Sequence, residues 1–264
     1  MIDIHSHILP GLDDGASRLD TALDMAAQAV EDGIRGMIAT PHVFREKIFE
    51  ENIDQILPAL EAFRSELNKR GIRLEVYPGA EVHIAHNLFR IIREKKDRLV
   101  LNKGKYILVE FPSRHVFAGV KDLFFNIMTS NLIPVIAHPE RNRVFRHNPK
   151  MLFELVEMGA LVQVNQGSLF GIYGERARTA ARRFLEWKFV HFLATDCHNT
   201  GVSAPSMADS AQKAEALLGK QAARALVKDN PQAVVESREI PFHPEPVNPD
   251  KKKKSFIIKL PFIK

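Results

Sequence analysis

His5 and His7 close the first apolar run of the chain, and each later strand-like run closes on another side chain able to bind a cation or a polar group. Ile38-Ala39-Thr40 leads to His42, Val76-Tyr77 to Glu81, and Ile107-Leu108-Val109 to Glu110. Val135-Ile136-Ala137 leads to His138, Val162-Gln163-Val164 to Asn165, and the run from Phe192 to Thr195 to Asp196 and His198. Groups at the same end of successive parallel strands converge in space. Imidazoles and carboxylates gathered at one mouth are the donors of a multinuclear metal site, where carboxylates bridge cations and neutral His nitrogens fill the remaining positions. His5-x-His7 puts two imidazoles on one side of an extended strand, and Asp196-x-His198 repeats the spacing at the last one. Taken singly, an H-x-H pair is a solvated polar pair, Glu81 and Glu110 are rim ion pairs, and His42 and His138, each beside a proline, are loop histidines. Their joint placement makes the chain a candidate metallohydrolase.

The elements that position these groups alternate. Strands are expected over Ile2 to His5, Gly36 to Thr40, Arg73 to Tyr77, Tyr106 to Phe111, Ile133 to Ala137, Leu161 to Asn165 and Val190 to Thr195. Helical patterns fill the gaps, from near Ser17 to Gly33, Asn52 to Lys69, Leu88 to Glu94, Val120 to Ser130, Met151 to Met158, Glu175 to Glu186 and Met207 to Leu218. Ser17 with Asp20 resembles a capping box. About seven strands interleaved with helices predict an α/β fold, a parallel β/α barrel short of the usual eight units. The barrel domain is expected over 1–240, and 241–264 reads as a Pro-rich, then polybasic and apolar C-terminal tail.

At 264 residues the chain suffices for one such barrel. It has no apolar run long enough to span a bilayer and no evident signal peptide, and its single cysteine, Cys197, suits a reducing cytoplasm. The net charge of +5 is concentrated in the tail. Removing the six lysines of residues 251–264 from the 37 Lys and Arg leaves 31 against 32 Asp and Glu. The globular part is nearly neutral, so no nucleic-acid partner is expected.

Cations held at such a mouth activate water for in-line attack on phosphorus and neutralise phosphate oxygens. A cysteine mechanism is disfavoured, because a thiol-phosphate loop needs an arginine about six positions after the nucleophile and that position is Ser203. Cys197 is expected as a buried filler. His83 and His86 flank no general-base Glu and are expected at the rim or cleft; His115 and His147 are expected in solvent. Arg114, Arg143 and Arg146 are candidates for drawing an anion to the mouth.

Ordered motifs add a resemblance. M-I-D-I-H-S-H at 1–7, L-D-D-G at 12–15, P-G-A-E at 78–81, V-E-F at 109–111, I-A-H-P-E-R at 136–141, V-N-Q-G-S at 164–168 and T-D-C-H-N at 195–199 are similar to the capsule-locus, metal-dependent protein-tyrosine phosphatases. That CpsB/YwqE group lies within the polymerase and histidinol phosphatase (PHP) superfamily. The resemblance runs from residue 1 to about Asn230-Pro231. It implies a distorted seven-stranded parallel β/α barrel (PHP, TIM-like) holding three divalent metal ions, Mn first, with Fe, Zn or Mg compatible. His5, His7, Glu81 and Asp196 would hold one, Glu81 bridging to a second on Glu110 and His138, and Asp14, His42 and His198 the third. Arg141 matches the arginine that grips phosphate. Related sequences carry Arg-Pro-Pro after the D-x-H-N motif, whereas this chain reads Ser203-Ala204-Pro205.

The implied substrate is a phosphotyrosine protein, a membrane-associated bacterial tyrosine kinase controlling capsule or exopolysaccharide synthesis. A small-molecule phosphatase or phosphodiesterase on the same scaffold, and a kinase-binding regulatory module, are the alternatives. Lys251 to Lys254 followed by Phe256, Ile257, Ile258, Leu260, Phe262 and Ile263 suit contact with an anionic inner-membrane face, or packing as an edge strand.

Overall fold

Parallel strands carry the candidate site. The computed structural model describes residues 1–45, 52–85 and 87–251. Its strands are β1 (Ile2–Ser6), β2 (Gly36–Ala39), β3 (His42–Val43), β4 (Glu75–Pro78), β5 (Glu81–His83), β6 (Tyr106–Glu110), β7 (Ile133–Ala137), β8 (Leu161–Asn165) and β9 (Phe192–Ala194). They form two parallel sheets, ordered β1-β2-β4 and β3-β5-β6-β7-β8-β9. This differs from seven unbroken strands. The second and third runs each cross from one sheet to the other through a two-residue break, at Thr40-Pro41 and at Gly79-Ala80. Pro41 has no N–H for a ladder. At Gly79 an added Cβ would stand 2.7 Å from Ile38 Cγ2, so only glycine admits this approach.

First and last runs meet. Ser6 bridges Cys197 in parallel, His7 N–H donates to the Cys197 carbonyl at 3.0 Å, and Asp196 N–H donates to the His5 carbonyl at 2.9 Å. Ile4, Ile38, Leu108, Val135, Leu161 and Phe192 fill the space between the strands. Side chains alternate along a strand, so the same faces continue upward from this apolar plug to the mouth: Leu108 to Glu110, Leu161 through Gln163 to Asn165, Phe192 through Ala194 to Asp196.

Helices cover the outside. They include α1 (Leu19–Glu31), α2 (Ile56–Arg70), α3 (Leu88–Leu99), α4 (Val120–Thr129), α5 (Arg143–His147), α6 (Pro149–Glu157), α7 (Gln166–Leu169), α8 (Glu175–Glu186), α9 (Ala208–Leu218), α10 (Lys220–Arg224) and α11 (Asn230–Val235). The expected capping box does not form: the N-cap of α1 is Arg18, without a side-chain cap, because the helix starts two residues beyond Ser17. Burial of Ala22, Leu23, Met25, Ala26 and Ala29 stabilises this helix instead. Asn52–Asp54 forms a separate 3₁₀ turn before α2, which ends at Gly71 with φ +67°. The sequence reading also missed α10, a π-helical turn at Ala225–Asp229, and α11. Pro231 sits in the first turn of α11 after the π turn, where its missing N–H is tolerated.

The first part of the C-terminal segment lies on the barrel. Asn230 Nδ2 donates to the Phe242 carbonyl at 2.8 Å, Phe242 N–H donates back to Asn230 Oδ1 at 3.0 Å, and Val247 N–H donates to the Trp187 carbonyl at 2.8 Å. Residues 252–264, with most of the polybasic and apolar tail, lie outside the described residues, as does His86.

Candidate metal centre

At the C-terminal mouth the chain brings together all nine residues expected as ligands. His5 Nε2 lies 3.3 Å from His7 Nε2, 3.3 Å from Glu81 Oε2 and 3.3 Å from Asp196 Oδ1. His7 Nε2 lies 3.4 Å from Glu81 Oε2 and 3.3 Å from Asp196 Oδ1. Donors about 2.0–2.1 Å from one cation at tetrahedral angles stand about 3.3–3.4 Å apart, the spacing of the two imidazole nitrogens from each other and from each carboxylate; His5, His7 and Glu81 form one group able to hold an ion, and His5, His138 and Asp196 another. Asp14 Oδ1 lies 3.3 Å from His42 Nε2 and 3.4 Å from His198 Nε2, a second cluster that His7 adjoins. Glu81, Glu110 and His42 make a third, with His138 Nε2 2.9 Å from Glu81 Oε1. His42 faces both ways, with Nδ1 2.8 Å from Glu81 Oε2. The resemblance places His42 in one group only; here it joins two.

Local backbone geometry aims these groups. The β1–β2 register slips between Asp3 and Ser6, around His5, and such irregularities re-aim side chains. His138 falls on the wrong parity of its strand and reaches the site through a left-handed backbone at φ +31°; Asp196 has φ +53°. Non-glycine residues pay of order 1–3 kcal/mol for such conformations, which persist where surrounding structure enforces them. The loop before α1 is held equally tightly, since a Cβ on Gly15 would lie 2.1 Å from the His7 carbonyl oxygen.

A second ring of polar groups fixes the imidazole tautomers. Asp13 Oδ2 faces His7 Nδ1 at 2.6 Å, Gln163 Oε1 faces His5 Nδ1 at 3.0 Å, and the Asp196 carbonyl faces His198 Nδ1 at 2.8 Å. Each partner is an acceptor, so Nδ1 carries the proton and Nε2 turns its lone pair to the site. Gln163 Nε2 donates to Asn165 Oδ1 at 2.8 Å, and Asn165 Nδ2 to Asp196 Oδ2 at 2.6 Å.

The electrostatics call for positive charge. Burial alone would raise Glu81 and Asp196, yet His5 and the other imidazoles, with Arg141 beside Asp196, hold both well below the usual carboxylate range. The imidazoles respond in kind: burial disfavours charge on His42, but Glu81 and Asp14 lift it to about 9. Carboxylates thus stay ionised in a site that attracts either protons or metal cations, and binding a cation would displace protons from the histidines.

Arg141, in the 3₁₀ turn Pro139–Arg141 after β7, reaches the same centre. Its Nη1 donates to Asp196 Oδ2 at 2.6 Å, and its guanidinium carbon sits 4.4 Å from the Tyr173 ring centroid. A cleft of about 200 Å³ opens beside it, lined by Arg45, His83, Glu110, His138, Arg141 and Asn142. His83 takes the expected cleft position, 3.2 Å from Glu110. Cys197 is fully buried and its thiol is pushed up to about 12 by burial, which leaves no thiolate nucleophile.

Sequence reasoning missed Asp13, Gln163, Arg45, Tyr173 and Glu140. Gln163 left a signal, since a polar residue inside an apolar strand needs a buried partner. Glu140 is fully buried, accepting from Asn165 N–H at 3.0 Å and Ser168 Oγ at 2.7 Å, so it ties the H-P-E-R motif to V-N-Q-G-S. Arg45 and Tyr173 carried no local signal.

Comparison with known proteins places this arrangement among relatives. Residues 1–236 match the family model described as capsular polysaccharide synthesis, CpsB/CapC. The tyrosine-protein phosphatase YwqE of Bacillus subtilis is 43% identical over 199 residues, 75% of this chain and 78% of the relative. The tyrosine-protein phosphatase CpsB of Streptococcus agalactiae serotype V is 29% identical over 245 residues, 91% of this chain and 100% of the relative. A solved structure described as YwqE from Bacillus subtilis and CpsB from Streptococcus pneumoniae, unique metal-dependent tyrosine phosphatases, superposes with a TM-score of 0.87 at 37% identity. That match covers 94% of this chain and 99% of the other.

Proposed function

From the premise that this chain belongs to the CpsB/CapC family of capsular polysaccharide synthesis, we infer that it is a metal-dependent protein-tyrosine phosphatase. The observation that carries the reading is the 3.3–3.4 Å spacing of the His5 and His7 Nε2 atoms from each other and from the Glu81 and Asp196 carboxylates, with Arg141 at the rim.

Three divalent cations would be held: one by His5, His7, Glu81 and Asp196, one by Glu81, Glu110 and His138, one by Asp14, His42 and His198. Mn²⁺ is our first choice, with Fe, Zn and Mg compatible, since imidazole-rich positions suit Fe or Zn and carboxylate-rich ones Mn or Mg. When bound, the cations supply an activated water and neutralise phosphate charge. Arg141 turns its remaining guanidinium N–H groups toward the phosphate, a grip that strengthens as charge develops. Tyr173 stacks on that guanidinium and Asp196 fixes one of its nitrogens, so its orientation is set before substrate arrives. Asp13, Gln163 and the Asp196 carbonyl keep protons on Nδ1 of His7, His5 and His198. A phenolate leaving group, with a conjugate acid near pKa 10, departs with little proton assistance, which suits phosphotyrosine.

The substrate would be a tyrosine-phosphorylated protein, a membrane-associated bacterial tyrosine kinase, met at the inner face of the cytoplasmic membrane. No helix among the described residues is long and apolar enough to cross a membrane. Attachment would fall to the basic and apolar segment from Lys251 onward. Turnover of a phosphotyrosine peptide, histidinol phosphate and a nucleotide diester tests the activity: preference for the peptide supports it, and preference for either of the others replaces it. Sedimentation with anionic liposomes, comparing the full chain with one ending at Asp250, tests the tail. Salt-reversible pelleting of the full chain alone supports attachment, and two soluble proteins at low salt refute it.

A further inference from the structure

A second cavity, larger than the cleft at the metal centre at about 360 Å³, opens between α5 and α8. Its walls carry Arg146, Arg176 and Arg183 beside Phe184 and Trp187. The one carboxylate in the lining, Glu175, is engaged by Arg178 at 2.7 Å. Arg176 and Arg183 are exposed, and among the described residues neither has a carboxylate partner. Arg146 spends Nη1 on the carbonyls of Glu140 and Arg141, at 3.2 and 2.6 Å, while its buried Nε has no hydrogen-bond partner. Burial, and then Arg176 beside it, pull Arg146 below the usual arginine range, as expected of clustered like charges. Three guanidinium groups gathered around one cavity, whose single lining carboxylate is engaged by Arg178, form a receptor for an anion.

The cavity is joined to the metal centre by the elements that hold Arg141. Arg146 follows it by five positions and donates to its carbonyl, and α8 begins two residues after Tyr173, which stacks on it. With Arg141 in a 3₁₀ turn, Asn142 extended and Arg143–His147 helical, the backbone advances about 8–11 Å from Arg141 to Arg146. An extended peptide covers that distance in roughly two to four residues. Phe184 and Trp187 add an apolar wall suited to an aromatic or aliphatic stem.

We propose that the Arg146–Arg176–Arg183 cavity is a second anion subsite, which receives a phosphate or carboxylate side chain of the protein substrate while a neighbouring phosphotyrosine occupies the metal centre. The proposal rests on the phosphatase reading above and deepens it. The subsite would make the enzyme select phosphotyrosines with an anionic neighbour two to four positions away.

The test compares the native chain with the double variant Arg176→Gln, Arg183→Gln, both residues being exposed and outside the groups able to hold a metal. Four substrates are used: p-nitrophenyl phosphate, a peptide with one phosphotyrosine among neutral residues, and two forms of that peptide carrying a second phosphotyrosine or a Glu at the stated spacing. The native enzyme should favour the doubly phosphorylated peptide over the singly phosphorylated one by about tenfold in kcat/KM. The variant should lose most of that preference while keeping p-nitrophenyl phosphate turnover within about twofold. Equal benefit from Glu marks a general anion subsite, and benefit from phosphate alone marks a phosphate-selective one; both support the proposal. No preference in the native enzyme, or an equal loss on all substrates in the variant, overturns it. Failure of the phosphatase reading would look different: no turnover of the singly phosphorylated peptide at all.

Discussion

Arg141→Ala should separate phosphate binding from metal binding. In the native structure Arg141 Nη1 donates to Asp196 Oδ2, but the same oxygen also accepts from Asn165 Nδ2 at 2.6 Å, and Asp196 Oδ1 still faces His5 and His7 at 3.3 Å. Asp196 therefore keeps its orientation when the guanidinium is removed. What is lost is a charge-assisted donor to the phosphate, a contact of the kind whose removal costs about 3 kcal/mol in the transition state, roughly a hundredfold in kcat/KM. Arg141→Lys keeps the charge without the planar fork or the stacking on Tyr173 and should recover about half of that free energy. The assay is kcat/KM on a phosphotyrosine peptide, paired with the metal-to-protein ratio by elemental analysis. Native metal content with a hundredfold slower enzyme is expected. Metal loss in proportion to activity would refute the reasoning, because Arg141 would then act by holding Asp196.

Gly15→Ala puts a methyl 2.1 Å from the His7 carbonyl oxygen, so it should displace His7 and lower metal content without unfolding the barrel; circular dichroism with elemental analysis checks both. Asn165→Leu removes the donor to Asp196 Oδ2 and should weaken metal affinity about 10- to 100-fold in chelator competition. His191 is buried, accepts from Val162 N–H through Nδ1, and burial pushes it down to about 3. Below pH 6.5 the unfolded chain takes up a proton that the folded one refuses, so this stability is lost as pH falls from 6.5 toward 3. Between pH 7 and 4.5 the native chain should lose about 2–3 kcal/mol more than His191→Gln, read from urea denaturation; parallel losses would contradict it.

The barrel and the convergence of polar groups at its mouth were legible because they obey short-range rules. Strand ends with period-two alternation, as in Leu161 through Asn165 or Phe192 through Asp196, announce both the apolar plug and the polar mouth. The division of two runs at Thr40-Pro41 and Gly79-Ala80 was less legible, since it depends on how closure distributes the strands between sheets. Ser17 looked like a cap because its type and spacing were right, but packing of α1 set the helix start instead. Arg45 and Tyr173 were invisible, because their roles come from long-range approach to Asp14 and Arg141. Asp13 was hidden for a different reason: in L-D-D-G two adjacent carboxylates share one motif, and only the fold shows that Asp13 orients His7 while Asp14 faces His42 and His198.

The central claim, hydrolysis of phosphotyrosine by a metal centre, is tested most directly by stripping the protein with a chelator and titrating Mn²⁺ back, with metal content and peptide dephosphorylation followed in the same samples. Activity should vanish in the metal-free protein, return in step with bound Mn²⁺, and survive alkylation of accessible thiols. Full turnover by protein verified as metal-free would contradict it.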